Sequence, residues 1–189
     1  MQTTRMTFVL AALLGLLSTV ASSQAPTDAG KSGEAGKTSK PTPKGQLRPM
    51  TLEIAKQLVA AARKGSCSPP AGACTGAFAV ADDAGVVIYL EAIDGVLAGA
   101  PDLAIRKAQT SAMWRRPTAE FQDAVNNKTN TSYADGTFQF MTTSPGGITI
   151  VKDGRVVGAL GSGGTGSTAA NKQIAESVLA EAAKVFGPQ

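Results

Sequence analysis

The residues best suited to chemistry fall in two stretches. The first holds Arg106, Lys107, Arg115 and Arg116, with Thr110 between them. Cations on one helix and at its end can pair with the carboxylates of an anionic ligand. The same charges also serve as a solvated face and offset the negative end of the helix dipole. The second stretch, Gly161 to Gly166, contains four glycines ahead of a helical pattern. Backbone amides and the dipole at such a place can hold a propionate or phosphate; the glycines equally allow a strand to turn tightly into a helix. Their order is not that of a P-loop, which argues against nucleotide hydrolysis. The chain has no histidine, which excludes histidine acid–base chemistry, Ser-His-Asp triads, histidine zinc sites and histidine-ligated haem. Asp82, Asp83 and Asp94 fit turn and cap roles better than a metal site. No nucleophile–base pair can be named, so an enzyme is the weaker class.

The elements that position these residues can be read in order. Thr51 is a plausible N-cap for a helix with Ile54, Ala55, Leu58, Val59 and Ala62 on one face, ended by Gly65. Gly76 to Ala81 and Val86 to Ile93 read as strands around an Asp82-Asp83-Ala84-Gly85 turn. A helix follows from Pro101 to about Arg115, with a small-residue face at Leu103, Ala104, Ala108, Ser111 and Ala112. Arg116-Pro117 breaks it, and Thr118 is expected to cap a short helix through Val125. Asn126 to Gly136 is polar and turn-rich, an expected exposed loop. Phe138, Phe140 and Met141 then re-enter the core or line a cleft. Asp153-Gly154 lies between β-rich runs, a strong signal for a type I′ hairpin. The last helix carries Ile174, Val178, Leu179, Ala182 and Val185 on one side.

Residues 1–23 look like a secretory signal peptide: Arg5, then an apolar run from Phe8 to Val20, then small residues, with cleavage expected after Ser23. The apolar run is shorter than the roughly 20 residues a bilayer span needs. The expected location is periplasmic or secreted. Residues 24–49 form a Gly/Ser/Pro/Lys-rich linker that offers little to a core, and residues 50–189 form the folded domain. Five basic residues of the linker, Lys31, Lys37, Lys40, Lys44 and Arg48, stand against Asp28 and Glu34, a balance of +3; with Arg5 this is the entire net charge of +4. The domain is therefore neutral, and the basic stripe that nucleic-acid binding wants is absent. In an exported chain, Cys67 and Cys74 read as the ends of a small disulfide loop.

Several stretches together resemble the GlcG/HbpS-like haem-binding proteins, a family that includes the C-terminal domain of PduO-type proteins. They are Ala81 to Gly85, Asp94-Gly95, Ala104 to Ala112, Arg116-Pro117-Thr118, Pro145-Gly146-Gly147, Val151 to Gly161 and Gly164-Thr165-Gly166. The resemblance implies an α+β, profilin-like α/β/α sandwich with a five-stranded antiparallel sheet, assembling as a homo-oligomer. It also implies binding of haem or another tetrapyrrole. Lys107 and Thr110 match the family's helix motif. Arg116, the amides near Gly164, Thr165 and Gly166, and apolar contacts from Phe138, Phe140 and Met141 complete the expected site. Met113, Met141, Tyr89 and Tyr133 are the remaining candidate iron ligands. The acidic residue usual at the start of the family's last helix is Asn171 here. A cofactor-free interaction module is the alternative function.

The linker's composition leads to a first prediction. Deleting residues 24–49 should leave the melting temperature within a few degrees of the full chain, as followed by circular dichroism. A large drop would mean that the linker docks on the domain.

Overall fold

The computed structural model describes residues 49–67, 74–133 and 141–189. Helix α1 (Leu52–Ser66) starts where Thr51 accepts a hydrogen bond from the Ile54 amide, as expected of an N-cap. Strands β1 (Ala77–Asp82) and β2 (Val87–Ala92) form the first hairpin. One Asp82 carboxylate oxygen accepts from the amides of Ala84 and Val86, each at 2.9 Å, which shapes the turn. Helices α2 (Ala100–Trp114) and α3 (Thr118–Asn126) follow, with a 3₁₀ turn at Thr131–Tyr133. Strands β3 (Gly147–Lys152) and β4 (Arg155–Gly163) make the second hairpin, and α4 (Thr168–Phe186) ends the domain. Asp153 and Gly154 have φ of 49° and 72°, the paired positive values that the Asp-Gly signal demands.

The sheet is antiparallel with order β2-β1-β4-β3. Four strands are present among the described residues, where five were expected. Cys67 and Cys74 form the expected disulfide.

Alternation along the central strands separates two unlike faces. Phe78, Val80, Ile150 and Leu160 pack with Leu58, Val59, Ile174 and Val178 of α1 and α4. On the other face Ala77, Ala79, Ala81 and Ala159 meet Ala100, Ala104, Ala108 and Ala112 of α2. Helices thus cover both faces, but one layer is bulky and the other is almost entirely alanine and glycine. The glycines of β4 explain the second. A Cβ at Gly161 would collide with the backbone of Ala104 and Ala108, and one at Gly163 with the Ala100 carbonyl. Gly161 and Gly163 therefore belong to the strand and its helix contact, and the connection to α4 is only Gly164 to Ser167. A one-residue irregularity leaves Val157 between the pairs Val151–Val156 and Ile150–Gly158. Val157 consequently joins the α1/α4 core.

Thr118 departs from expectation. Pro117 occupies the N-cap position of α3 without a side-chain bond. The buried Thr118 hydroxyl instead accepts from the Gly147 amide at 2.8 Å, tying α3 to the start of β3.

The α2–β4 contact makes a second prediction. Gly161→Ala should destabilise the domain by about 2–3 kcal/mol through overpacking. Gly99→Ala, at a position with open space around it, should change stability by less than about 0.5 kcal/mol. Urea midpoints of the two variants test the difference.

Candidate functional site

A cleft of about 310 Å³ opens between α2, α3, the segment before β3 and the start of α4. Leu103 and Lys107 line it from α2, and Gln122 from α3. Ser144 and Pro145 contribute from the segment before β3, and Gly164 to Thr168 with Asn171 close the far side. Four residues singled out in the sequence, Lys107, Gly164, Thr165 and Gly166, thus come together near one opening although the chain separates Lys107 from the other three.

Lys107 is the centre of this arrangement. The residue is only 4% exposed, because α2 lies so close to β4 that its stem runs beside Gly161. Its Nζ donates to the Ser162 carbonyl oxygen at 2.8 Å. Gly146 keeps space for the amine: a Cβ there would sit 3.2 Å from Nζ. Among the described residues, no carboxylate lines the cleft. Burial therefore acts without an opposing charge and lowers the amine from its ordinary 10.5 to about 8. The alternative of a solvated charge fails for this residue.

The wall beside Lys107 is a neutral hydrogen-bond network. Asn171 Oδ1 accepts from the Thr165 hydroxyl at 2.8 Å and the Ser162 hydroxyl at 3.1 Å. Its Nδ2 faces the Pro145 carbonyl at 3.5 Å. Ser167 caps α4 by accepting from the Ala170 amide, and the first turn of α4 holds no acidic residue. The positive end of that helix is thus capped by a neutral hydroxyl, with no acidic side chain in its first turn. Gly164 and Gly166 adopt φ of 69° and 82°, the left-handed region that glycine enters most easily.

The other predicted residues lie elsewhere. Thr110 is buried, and its hydroxyl accepts from the Thr142 amide at 3.0 Å, which anchors the segment leading to β3. Arg116 is exposed, 3.8 Å from the Glu120 carboxylate and 5.5 Å from the Phe121 ring centre. Arg106 pairs with Asp102 at 2.7 Å. Met141 is half-buried and is not among the lining residues. Phe138 and Phe140 lie outside the described residues.

None of the candidate iron ligands lines the cleft. Met113 is exposed beside Gly85. Tyr133 stacks edge-on against Trp114 and Phe121. Tyr89 donates to Glu91 at 3.1 Å, and that bond, with burial and the carboxylate charge, holds its phenol above the ordinary tyrosine value. Asn171, Ser162, Ser144 and Gln122 were not singled out as site residues. The one signal available was that Asn171 stands where an acid was expected. A larger groove of about 510 Å³, between α1 and α4, contains none of the predicted site residues.

With this geometry in view, comparison with known proteins defines the class. Residues 50–180 match the model of the HbpS-like family, described as "Haem degrading protein HbpS-like", and the chain belongs to that family. Protein GlcG of Escherichia coli strain K12 is 37% identical over 83 residues, which are 44% of this chain and 60% of that protein. The matched region therefore spans about 60% of that relative's length. A solved double mutant of HbpS from Streptomyces reticuli superposes with a TM-score of 0.60 at 24% identity, over 82% of this chain and 97% of that one. PduOC, crystallised as a haem complex, gives 0.60 at 23% identity, over 70% and 94%. These two likenesses establish a shared fold.

The lowered lysine has a measurable consequence. Unfolded chains keep this amine protonated up to about 10.5, whereas the folded domain releases its proton near 8. Below pH 8 the folded state bears the full cost of the buried charge. Between pH 8 and 10.5 the unfolded state holds more protons, so stability should rise with pH through that window. The melting temperature of the wild type should rise relative to Lys107→Met between these limits. In Asn171→Asp, where a carboxylate joins the cleft, the rise should begin at higher pH. Parallel wild-type and Lys107→Met curves would contradict the assignment.

Proposed function

We propose that this domain is an exported, non-enzymatic module that binds haem or a related tetrapyrrole through a propionate at Lys107. The carrying observation is a buried lysine beside a cleft that, among the described residues, no carboxylate lines and that the start of α4 closes on one side. A propionate there would receive a charge-assisted bond from Nζ and amides from the Gly164 to Thr168 segment. The family supports the ligand class, as does PduOC, crystallised with haem. The donor set fits the carboxylate edge of the macrocycle and includes no residue suited to ligating iron. Haem would supply redox-active iron when bound, with its orientation set by the carboxylate contact.

A second reading, a cofactor-free interaction module built on self-association, draws on different residues. Leu97 is 77% exposed, and Val86 and Met113 are each 58% exposed. Leu90, on the edge strand β2, is also exposed. Such apolar exposure beside an open strand edge fits a homo-oligomeric contact.

Titration of the purified chain with haem, followed at the Soret band, tests the first reading. Saturable binding is expected in the micromolar range, roughly −8 kcal/mol. Lys107→Met should weaken it by about tenfold or more, the loss of a charge-assisted contact. Arg116→Ala should leave it unchanged. No saturable change in the wild type would remove the haem reading and favour the interaction module.

A further inference from the structure

The Lys107 amine has a property that anion binding alone does not use. Its nearest polar partner is the neutral Ser162 carbonyl, at 2.8 Å. Among the described residues, no carboxylate lines the cleft from α2, α3, the segment before β3 or the start of α4. A lysine held against a carboxylate stays protonated and cannot attack carbon; one that is buried and unopposed by a counter-charge can be neutral under mild conditions. A neutral amine that donates one hydrogen to Ser162 keeps its lone pair. Lys107 lies beside an opening rather than in a sealed core, since it is one of the residues that line the cleft. At about 310 Å³ the space suits a molecule of few heavy atoms.

We infer that Lys107 is a carbonyl-reactive nucleophile and that the cleft takes small 2-oxo acids, which it binds as an imine. The reaction is balanced without an added reagent. The amine nitrogen attacks the keto carbon, the carbonyl oxygen receives a proton, and a carbinolamine forms. Loss of water, with the hydroxyl oxygen leaving and the second amine hydrogen released, gives the carbon–nitrogen double bond. Nothing is oxidised or reduced. Ser144 lines the same cleft, and its hydroxyl can relay a proton or bond the acid's carboxylate; the Thr165 hydroxyl is already committed to Asn171. The start of α4, which holds no acidic residue in its first turn, adds favourable potential for that carboxylate. Burial of the amine, which brings its titration to about 8, supports this reactivity. The inference goes beyond haem binding and does not require it.

Reductive trapping tests it. The full chain is incubated with pyruvate and sodium cyanoborohydride at pH 8, and modified lysines are mapped by mass spectrometry. Lys107 should be labelled at least about tenfold faster than an ordinary lysine, because a far larger share of it is neutral at that pH. Lys172, whose side chain is 80% exposed, is the internal reference. Labelling of Lys107 no faster than Lys172 overturns the inference, and because both are read in the wild-type chain the result does not depend on a variant that folds. Lys107→Met should abolish the fast adduct while leaving the Lys172 rate unchanged; a fast adduct that persists elsewhere in this variant also overturns it. A trapped pyruvate adduct without a haem-dependent Soret change would sink the haem reading alone. Haem binding without preferential Lys107 labelling would sink this inference alone.

Discussion

The approach of α2 to β4 governs the site. Where Gly161 and Gly163 face the carbonyls and amides of Ala100, Ala104 and Ala108, helix and strand meet backbone to backbone. No side-chain layer separates them. With the helix held that close, the long Lys107 side chain runs alongside Gly161 to the Ser162 carbonyl. The contact thereby sets the depth of the amine. The lysine's altered chemistry follows from packing rather than from any charged neighbour.

The surrounding groups agree with that account. Asn171 offers a neutral oxygen to two hydroxyls, so the wall next to the amine is polar yet uncharged. Thr118 and Thr110 do not line the cleft; they fix its frame. One holds the Gly147 amide and the other the Thr142 amide, at opposite ends of the segment that carries Ser144 and Pro145. Ser111, also buried on α2, has an unpaired hydroxyl. It sits against Gly147, where even a Cβ would clash, so close packing was retained there at the expense of a hydrogen bond.

Much of the fold was legible in local signals. The Thr51 cap, the Asp153-Gly154 turn and the apolar stripe of α4 each act within a few residues, and each appears where its chemistry requires. The small-residue face of α2 was also readable, but its meaning was not. Alanines at helical spacing say that something approaches closely; they do not say that the partner is a glycine-bearing strand half the domain away. The burial of Lys107 was hidden for the same reason. Its sequence neighbours Arg106 and Gln109 are polar, and only the tertiary contact takes it from water. Thr118 misled because a threonine after proline and before a helical run is a good local cap, whereas its actual partner is 29 residues distant. Arg116 does not line this cleft; it lies exposed beside Glu120 and Phe121, one turn along, a tertiary placement that its sequence position did not reveal.

The two faces of the sheet should also drift differently over evolutionary time. On the α1/α4 side, a lost methylene at Leu160 can be matched by a gain at Val178 or Ile174, since volume can be traded among neighbouring side chains. On the α2 side there is nothing to trade. Gly161 and Gly163 touch main chain, which no substitution can shrink. Divergence there must move the whole helix or not occur, and a helix that moves carries Lys107 away from Ser162. The scaffold can therefore change its core freely while the lysine's position remains under an independent, purely steric restraint.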